Sequence, residues 1–289
     1  MSKAKEIKNK IRSVASTQKI THAMEMLAAS KIKKAQETMQ ASRPFANTIV
    51  ELISNLAHGC LDEHYFFTKR PEFNIGILVV GTDRGLCGGL NSSLFKKCCY
   101  HIQKWLKHSP HGEIKLATIG EKSKNFFGSK LGYPILASHE KTSKNPCMQS
   151  LIGVIQVLLQ EYKQQKIDRI YLAYNEFKNT MQQIPVIKQL LPITTADFTN
   201  NKKVPTEYLF EPQADTLLDL LLNRYVESLV YQGVVENLAS EQAARMLAMK
   251  NASDNANQII SDLNLTFNKE RQAIITKEVS EIVSGSAAV

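Results

Sequence analysis

Residues 7–56 read IKNKIRSVASTQKITHAMEMLAASKIKKAQETMQASRPFANTIVELISNL. Counting by four and three alternately from Ile7 meets Ile11, Val14, Gln18, Thr21, Glu25, Ala28, Ile32, Ala35, Met39, Ser42, Ala46, Ile49, Ile53 and Leu56. A seven-residue repeat held over about fifty residues predicts one long helix wound left-handed around a partner helix. The seam turns polar at Gln18, Thr21 and Glu25, where Ile20, Met24 and Leu27 form a second apolar stripe on another face. A helix that is apolar on two sides needs two partners. Pro44 falls inside the pattern without disturbing its register, which predicts a kink and not an end.

The far end of the chain keeps the same step through Ala214, Leu218, Leu221 and Tyr225, then Val235, Ala239, Met246, Met249, Ala256, Ile260, Leu263, Phe267 and Ile274. Pro212 precedes this tract and Asp215 places an acid in its first turn, both signs of a helix start. At 1.5 Å per residue the two helices would reach roughly 85 and 105 Å, more than one globular core buries. Charge is sorted between them. Residues 1–43 hold ten Lys/Arg against three acids, and residues 213–289 hold six against ten, in a chain of net charge +9. The tracts can pair antiparallel within one chain or join two chains in a dimer. Opposite charges on either side of a single insert favour the first.

The insert has a different texture. Ile75-Gly76-Ile77-Leu78-Val79-Val80 is a continuous apolar run bounded by Asn74 and Gly81, as expected of a strand covered on both faces. Leu116–Gly120 and Ile170–Tyr174 have the same character, and helical stretches lie at 91–108, 121–131 and 147–165. Alternating strands and helices predict a three-layer, Rossmann-like α/β domain with a mostly parallel sheet. The expected layout is an N-terminal coiled-coil helix over 1–60 and a central α/β domain over 70–195. A polar connector follows over 196–212, then a C-terminal coiled-coil helix over 213–286. The fold class is thus α/β plus a long antiparallel coiled coil.

The first strand runs into Gly81-Thr82-Asp83-Arg84-Gly85-Leu86-Cys87-Gly88-Gly89-Leu90-Asn91 before a helix, a position where nucleotides often bind. This stretch has no GxGxxG order, and no Lys-Ser/Thr follows its glycines, so neither phosphate-binding pattern is met. Its glycines instead permit a tight loop expected to present Arg84 and Cys87 outward. Cys87 is read as a small packed residue and not as a nucleophile. The seven histidines never pair at i, i+4, so no helical zinc site is indicated, and no GxSxG elbow is present. No metal, cofactor or catalytic residue is expected.

The five cysteines lack zinc-ligand spacing, and Cys98 and Cys99 are adjacent, which suits a reducing compartment better than a disulfide framework. No apolar run is long enough to span a bilayer. The basic N-terminus has the charge of a presequence, but Glu6 interrupts it and the helical pattern begins at once, so it is read as mature structure. A basic coiled-coil scaffold for nucleic acid is the rival class. Aromatics make up only 7% of the chain and do not interleave with the lysines, which speaks against it.

Four stretches resemble the gamma subunit family of F-type ATP synthases. They are Ile11–Val14 with Thr17–Lys31, then Asp83–Asn91, then Ser240–Ala252 (SEQAARMLAMKNA), and the tail Ile275–Gly285 (ITKEVSEIVSG). They fall in the family's order and together span nearly the whole chain. One departure is Ser286, where the family usually has Ala after the glycine.

The resemblance implies a shaft standing inside a hexamer of alternating alpha and beta subunits, which own the nucleotide sites. It places the α/β domain on the epsilon subunit and the ring of c subunits. Matching positions imply that Met24, Arg84, Cys87, Arg245, Gln272, Thr276 and Glu278 face or contact the alpha/beta ring. The weakly polar end from Ser284 to Val289 would turn in an apolar collar. Photosynthetic relatives carry a cysteine-bearing insert, whereas residues 190–212 have no cysteine, so no thiol switch is expected. With no presequence read, the expected location is peripheral, on the cytoplasmic face of a bacterial plasma (inner) membrane.

Overall fold

The computed structural model describes residues 2–56, 64–68, 70–71, 73–140, 148–194 and 214–286. The expected connector over 196–212, together with Cys60, Cys147, His58 and Pro212, lies outside the described residues. Helix α1 spans Ser2–Leu56, passing through Pro44, and helix α5 spans Ala214–Ser286. The contacts divide the chain into two units, residues 1–30 with 245–289 and residues 31–244.

In the first unit, the beginning of α1 and the end of α5 pack antiparallel. Lys3 pairs with Glu270, and Gln18 Nε2 donates to Ser253 Oγ over 3.5 Å, so the contact moves back along α5 as it moves forward along α1. The heptad seam is the covered face. Ile7 and Ala28 are buried and Ile11, Val14, Gln18, Thr21 and Glu25 are half-buried, while the residues between are mostly exposed. On α5 the matching line is Met249, Ser253 and Ala256, all buried, then Ile260, Leu263, Phe267, Glu270 and Ile274, all half-buried. Small residues at Ala28, Ser253 and Ala256 leave room for close approach. The polar gap at Gln18 is met by a polar residue opposite, which satisfies a group that would otherwise be costly to cover.

The second unit is built on a five-stranded sheet ordered β3-β2-β1-β4-β5. Its strands are β1 (Ile75–Val80), β2 (Ile114–Ile119), β3 (Ile135–His139), β4 (Arg169–Phe177) and β5 (Gln183–Leu191). All pairings are parallel except β4 with β5. Helix α2 (Leu90–His108) and the short α3 (Glu121–Lys124), which runs on into a π-helical turn over Asn125–Lys130, link β1 to β2 and β2 to β3. Helix α4 (Met148–Lys163) precedes β4, on the other side of β1. Reversing the direction of travel across a parallel sheet moves the connecting helix to the opposite face when every crossover is right-handed. The cores agree. Ile75, Ile77 and Val79 pack with α2 and Phe127, whereas Leu78 and Val80 pack with α4 and with Ile49, Ile53 and Leu222 of the terminal helices.

The sequence expectation missed two strands and misjudged one helix. β3 is short and only half-buried, and β5 contains Pro185, which is tolerated at a sheet edge. The helix expected over 121–131 is one α-turn followed by the π-turn. From Tyr225 to Ala244 no residue of α5 is exposed, so this stretch is a core helix covered on every side. Gly233 makes that possible: a Cβ there would stand 2.8 Å from Leu172 Cδ2. Among the described residues no helix is long and apolar enough to cross a membrane.

Candidate functional site

The glycine-rich loop is held from inside. Gly81 donates its N–H to the Ile119 carbonyl over 2.8 Å, and a Cβ on Gly81 would stand 2.1 Å from Ser123 Oγ. Thr82, 1% exposed, donates its hydroxyl to the Arg84 carbonyl over 2.7 Å and accepts from Asn91 Nδ2 over 2.7 Å. These bonds turn the segment from Arg84 to Leu86 outward. Leu86 has φ +64°, a left-handed conformation uncommon for a non-glycine residue, and is 61% exposed.

Cys87 behaves differently from the expectation that the loop presents it outward. It is 3% exposed, packs against Leu90 and Ala244, and its Sγ accepts from Asn91 Nδ2 over 3.4 Å. The turn that exposes Arg84 and Leu86 drives the next side chain inward, where α5 covers it. Arg84 is exposed as expected.

Loop and helix α5 are joined by a buried amide network. Asn237 Nδ2 donates to the Gly81 carbonyl over 3.2 Å, and Asn237 Oδ1 accepts from Asn175 Nδ2 and N–H over 2.9 and 3.3 Å. Ser240 Oγ donates to the Asn175 carbonyl over 3.0 Å. On the neighbouring turn Glu236 accepts from Gln232 over 3.0 Å. Burial is the main cause that pushes the Tyr174 hydroxyl pKa upward, and the carboxylates of Glu236 and Glu176 add to it. Sequence reasoning missed this network, because Asn175 and Asn237 are unremarkable polar residues until the sheet end and α5 meet.

The remaining expected site residues lie in the first unit. Met24 and Arg245 are half-buried, and Gln272, Thr276 and Glu278 are exposed on α5, off the packed seam. The same unit carries large apolar side chains that are exposed. On α1 these are Ile20, Met26 and Leu27, and on α5 they include Ile275, Val279, Ile282 and Val283. On α1, Ile20 and Leu27 belong to the second stripe read from the sequence. The α5 stripe was overlooked, although its spacing (275, 279, 282) is as legible as that of 20, 24 and 27. Among the described residues no three His, Cys, Asp or Glu side chains cluster as a metal site.

An antiparallel helix pair with a closed seam and a second, open apolar stripe, in one chain with a doubly covered α/β sheet, defines a helical scaffold built to meet other proteins. The family model described as ATP synthase matches residues 3–289, and the chain belongs to that family, the gamma family of the F-type ATP synthases. Among solved structures it is similar to a chain of the Tetrahymena thermophila mitochondrial ATP synthase central stalk and c-ring, with TM-score 0.61 and 28% identity. That match covers 81% of this chain and 99% of the other. A chain of the Euglena gracilis mitochondrial ATP synthase rotor in rotational state 1 gives TM-score 0.64 at 17% identity, over 95% of this chain and 99% of that one. A chain of the Euglena gracilis OSCP/F1/c-ring assembly in rotational state 3 gives 0.68 at 17%, over 99% and 94%. At 17% identity the Euglena matches speak for the fold alone.

Proposed function

We propose that this chain is the central rotor shaft of an F-type ATP synthase, coupling ion translocation through the membrane sector to ATP synthesis and hydrolysis at the alpha/beta hexamer. It has no catalytic site of its own. The observation that carries this reading is the helix pair of the first unit. Its seam is satisfied internally, yet Ile20, Leu27, Ile275, Val279 and Ile282 remain exposed on other faces. Exposed apolar side chains on both helices suit a bearing, since an apolar group has no fixed charge partner to leave as the surface slides.

In this reading the alpha and beta subunits meet Met24, Arg84, Arg245, Gln272, Thr276 and Glu278. Cys87 supports the loop that presents Arg84 and is not itself the contact. The epsilon subunit and the c-ring are the partners of the α/β unit, with no nucleic acid and no direct bilayer insertion. The proposed location is the cytoplasmic face of a bacterial plasma membrane, although the solved relatives are mitochondrial. Fractionation of the source cells decides it.

The functional test uses the exposed position of the loop. Arg84→Cys in the assembled complex, with a cysteine at the position of the beta subunit that faces it, should form a disulfide under oxidation. One bond per complex ties shaft to stator, so nearly all steady-state ATP turnover should stop, and reduction of the same sample should restore it. Continued hydrolysis at the uncross-linked rate would refute the rotor reading and leave the fold assignment intact.

A further inference from the structure

A groove of about 570 Å³ opens between the first turns of α2 and the α3–π segment, on the sheet face away from α4. That is the size of a small-molecule site. Lys96 of α2, Lys122 of α3 and Lys130 of the π-turn line it, with Ser92, Asn125 and Phe126. Among the described residues none of these three ammonium groups has an ion-pair or hydrogen-bond partner. Elsewhere in the same unit lysines within reach of acids are paired: Lys115 with Glu161, Lys166 with Glu161, and Lys124 with Glu140. Lys124 lies within the same segment, so its pairing with Glu140 marks the groove lysines as a separate set.

Among the described residues no carboxylate lines the groove; Glu121 Oε1 accepts from the lining Asn125 Nδ2 over 3.5 Å. Three cations on one concave surface repel one another and draw an anion. Helix α2 adds to this field. Its N-cap is Gly89, which makes no side-chain cap bond, and the positive end of the helix dipole lies beside Ser92. Phe126, half-buried and stacked on Phe95 at 4.7 Å, gives the groove an apolar wall.

We propose that this groove binds a phosphate-bearing polyanion of the di- or triphosphate class. Three lysines on three separate elements surround more space than a single phosphate fills, so an extended anion with several charged groups is the better match. It is held by side chains, because the Gly81–Asn91 loop has no phosphate-cradling glycine pattern. Binding is therefore sensitive to salt. The same chemistry is offered by a free polyphosphate compound and by the headgroup of a lipid with more than one phosphate.

The test is calorimetry of the full chain with tripolyphosphate, alongside co-sedimentation with phosphatidylcholine vesicles containing about one-fifth cardiolipin. Lys96→Gln/Lys122→Gln/Lys130→Gln should weaken binding at least about tenfold. A variant with the same net charge, Lys104→Gln/Lys107→Gln/Lys178→Gln, should stay within about twofold. Loss of tripolyphosphate binding confined to the groove variant supports the site and assigns a soluble ligand. Loss of vesicle binding alone, confined to the same variant, supports it and assigns a headgroup. Absence of binding to both probes, or an equal loss in the two variants, overturns the proposal.

Discussion

Asn237→Ala removes the centre of the amide network that ties α5 to the sheet. Asn237 is 2% exposed, and its loss strands the Gly81 carbonyl, the Asn175 N–H and the Asn175 Nδ2, which it bonds at 3.2, 3.3 and 2.9 Å. Each buried polar group left unpaired costs about 1–3 kcal/mol. Two of the three bonds are long, and the space vacated by the amide can admit a water, so the expected loss is about 3 kcal/mol and not the full sum. Asn175→Ala alone should cost less, because the Ser240 bond to its carbonyl survives. The double variant should fall short of the sum of the singles by about 1 kcal/mol, since the two residues share one interaction. Trp105 is the chain's single tryptophan and stacks on Tyr171 at 4.7 Å, so its fluorescence during urea unfolding reports this unit. A midpoint shift equivalent to less than about 0.5 kcal/mol, or strict additivity, would show that the network does not hold helix to sheet.

Three further outcomes follow from particular contacts. Gly120→Ala places a Cβ 2.8 Å from the Gly81 carbonyl oxygen at φ +92°, so it should destabilise the α/β unit by about 3 kcal/mol or more, read in the same urea experiment. Gln18→Cys with Ser253→Cys, in a background without other cysteines, should oxidise to a disulfide within the monomer, because the two positions face each other across the packed seam; cross-linked dimers alone would contradict intrachain pairing. Burial pushes the Cys98 thiol up to about 12, whereas an ordinary thiol ionises near about 8.5. Between those values the unfolded chain gives up a proton that the folded chain keeps, so this group's stability contribution falls as pH rises, by at most about 1.4 kcal/mol per pH unit. Cys98→Val should flatten the alkaline limb of a stability–pH curve, and an unchanged limb would exclude that origin.

Much of the fold was legible in local pattern. The four-three step from Ile7 identified the covered line of α1, and every described seam position whose burial is defined, from Ile7 to Ile53, is buried or half-buried. The unbroken apolar run of β1 announced a strand covered on both faces, and Leu78 and Val79 do enter opposite cores. β5 was not legible, because Pro185 argues against a strand unless its place at the sheet edge is known. The candidate site was legible only in part. The exposure of Arg84 followed from a loop rich in glycine; for Cys87 the packing was read, but its inward turn was not.

Sequence by itself therefore determined where the two long terminal helices run and which line of each must be covered. Those properties arise from spacing along one continuous backbone, where i, i+3 and i+4 share a face whatever the partner. Only the tertiary structure decided what arrives at that face. It set Ser253 opposite Gln18, covered Cys87 with Ala244 of α5, and brought Asn237 to Asn175 and the Gly81 carbonyl. Burial and hydrogen bonding between elements distant in sequence depend on the position of both partners, and no periodicity within one segment encodes where the other will be.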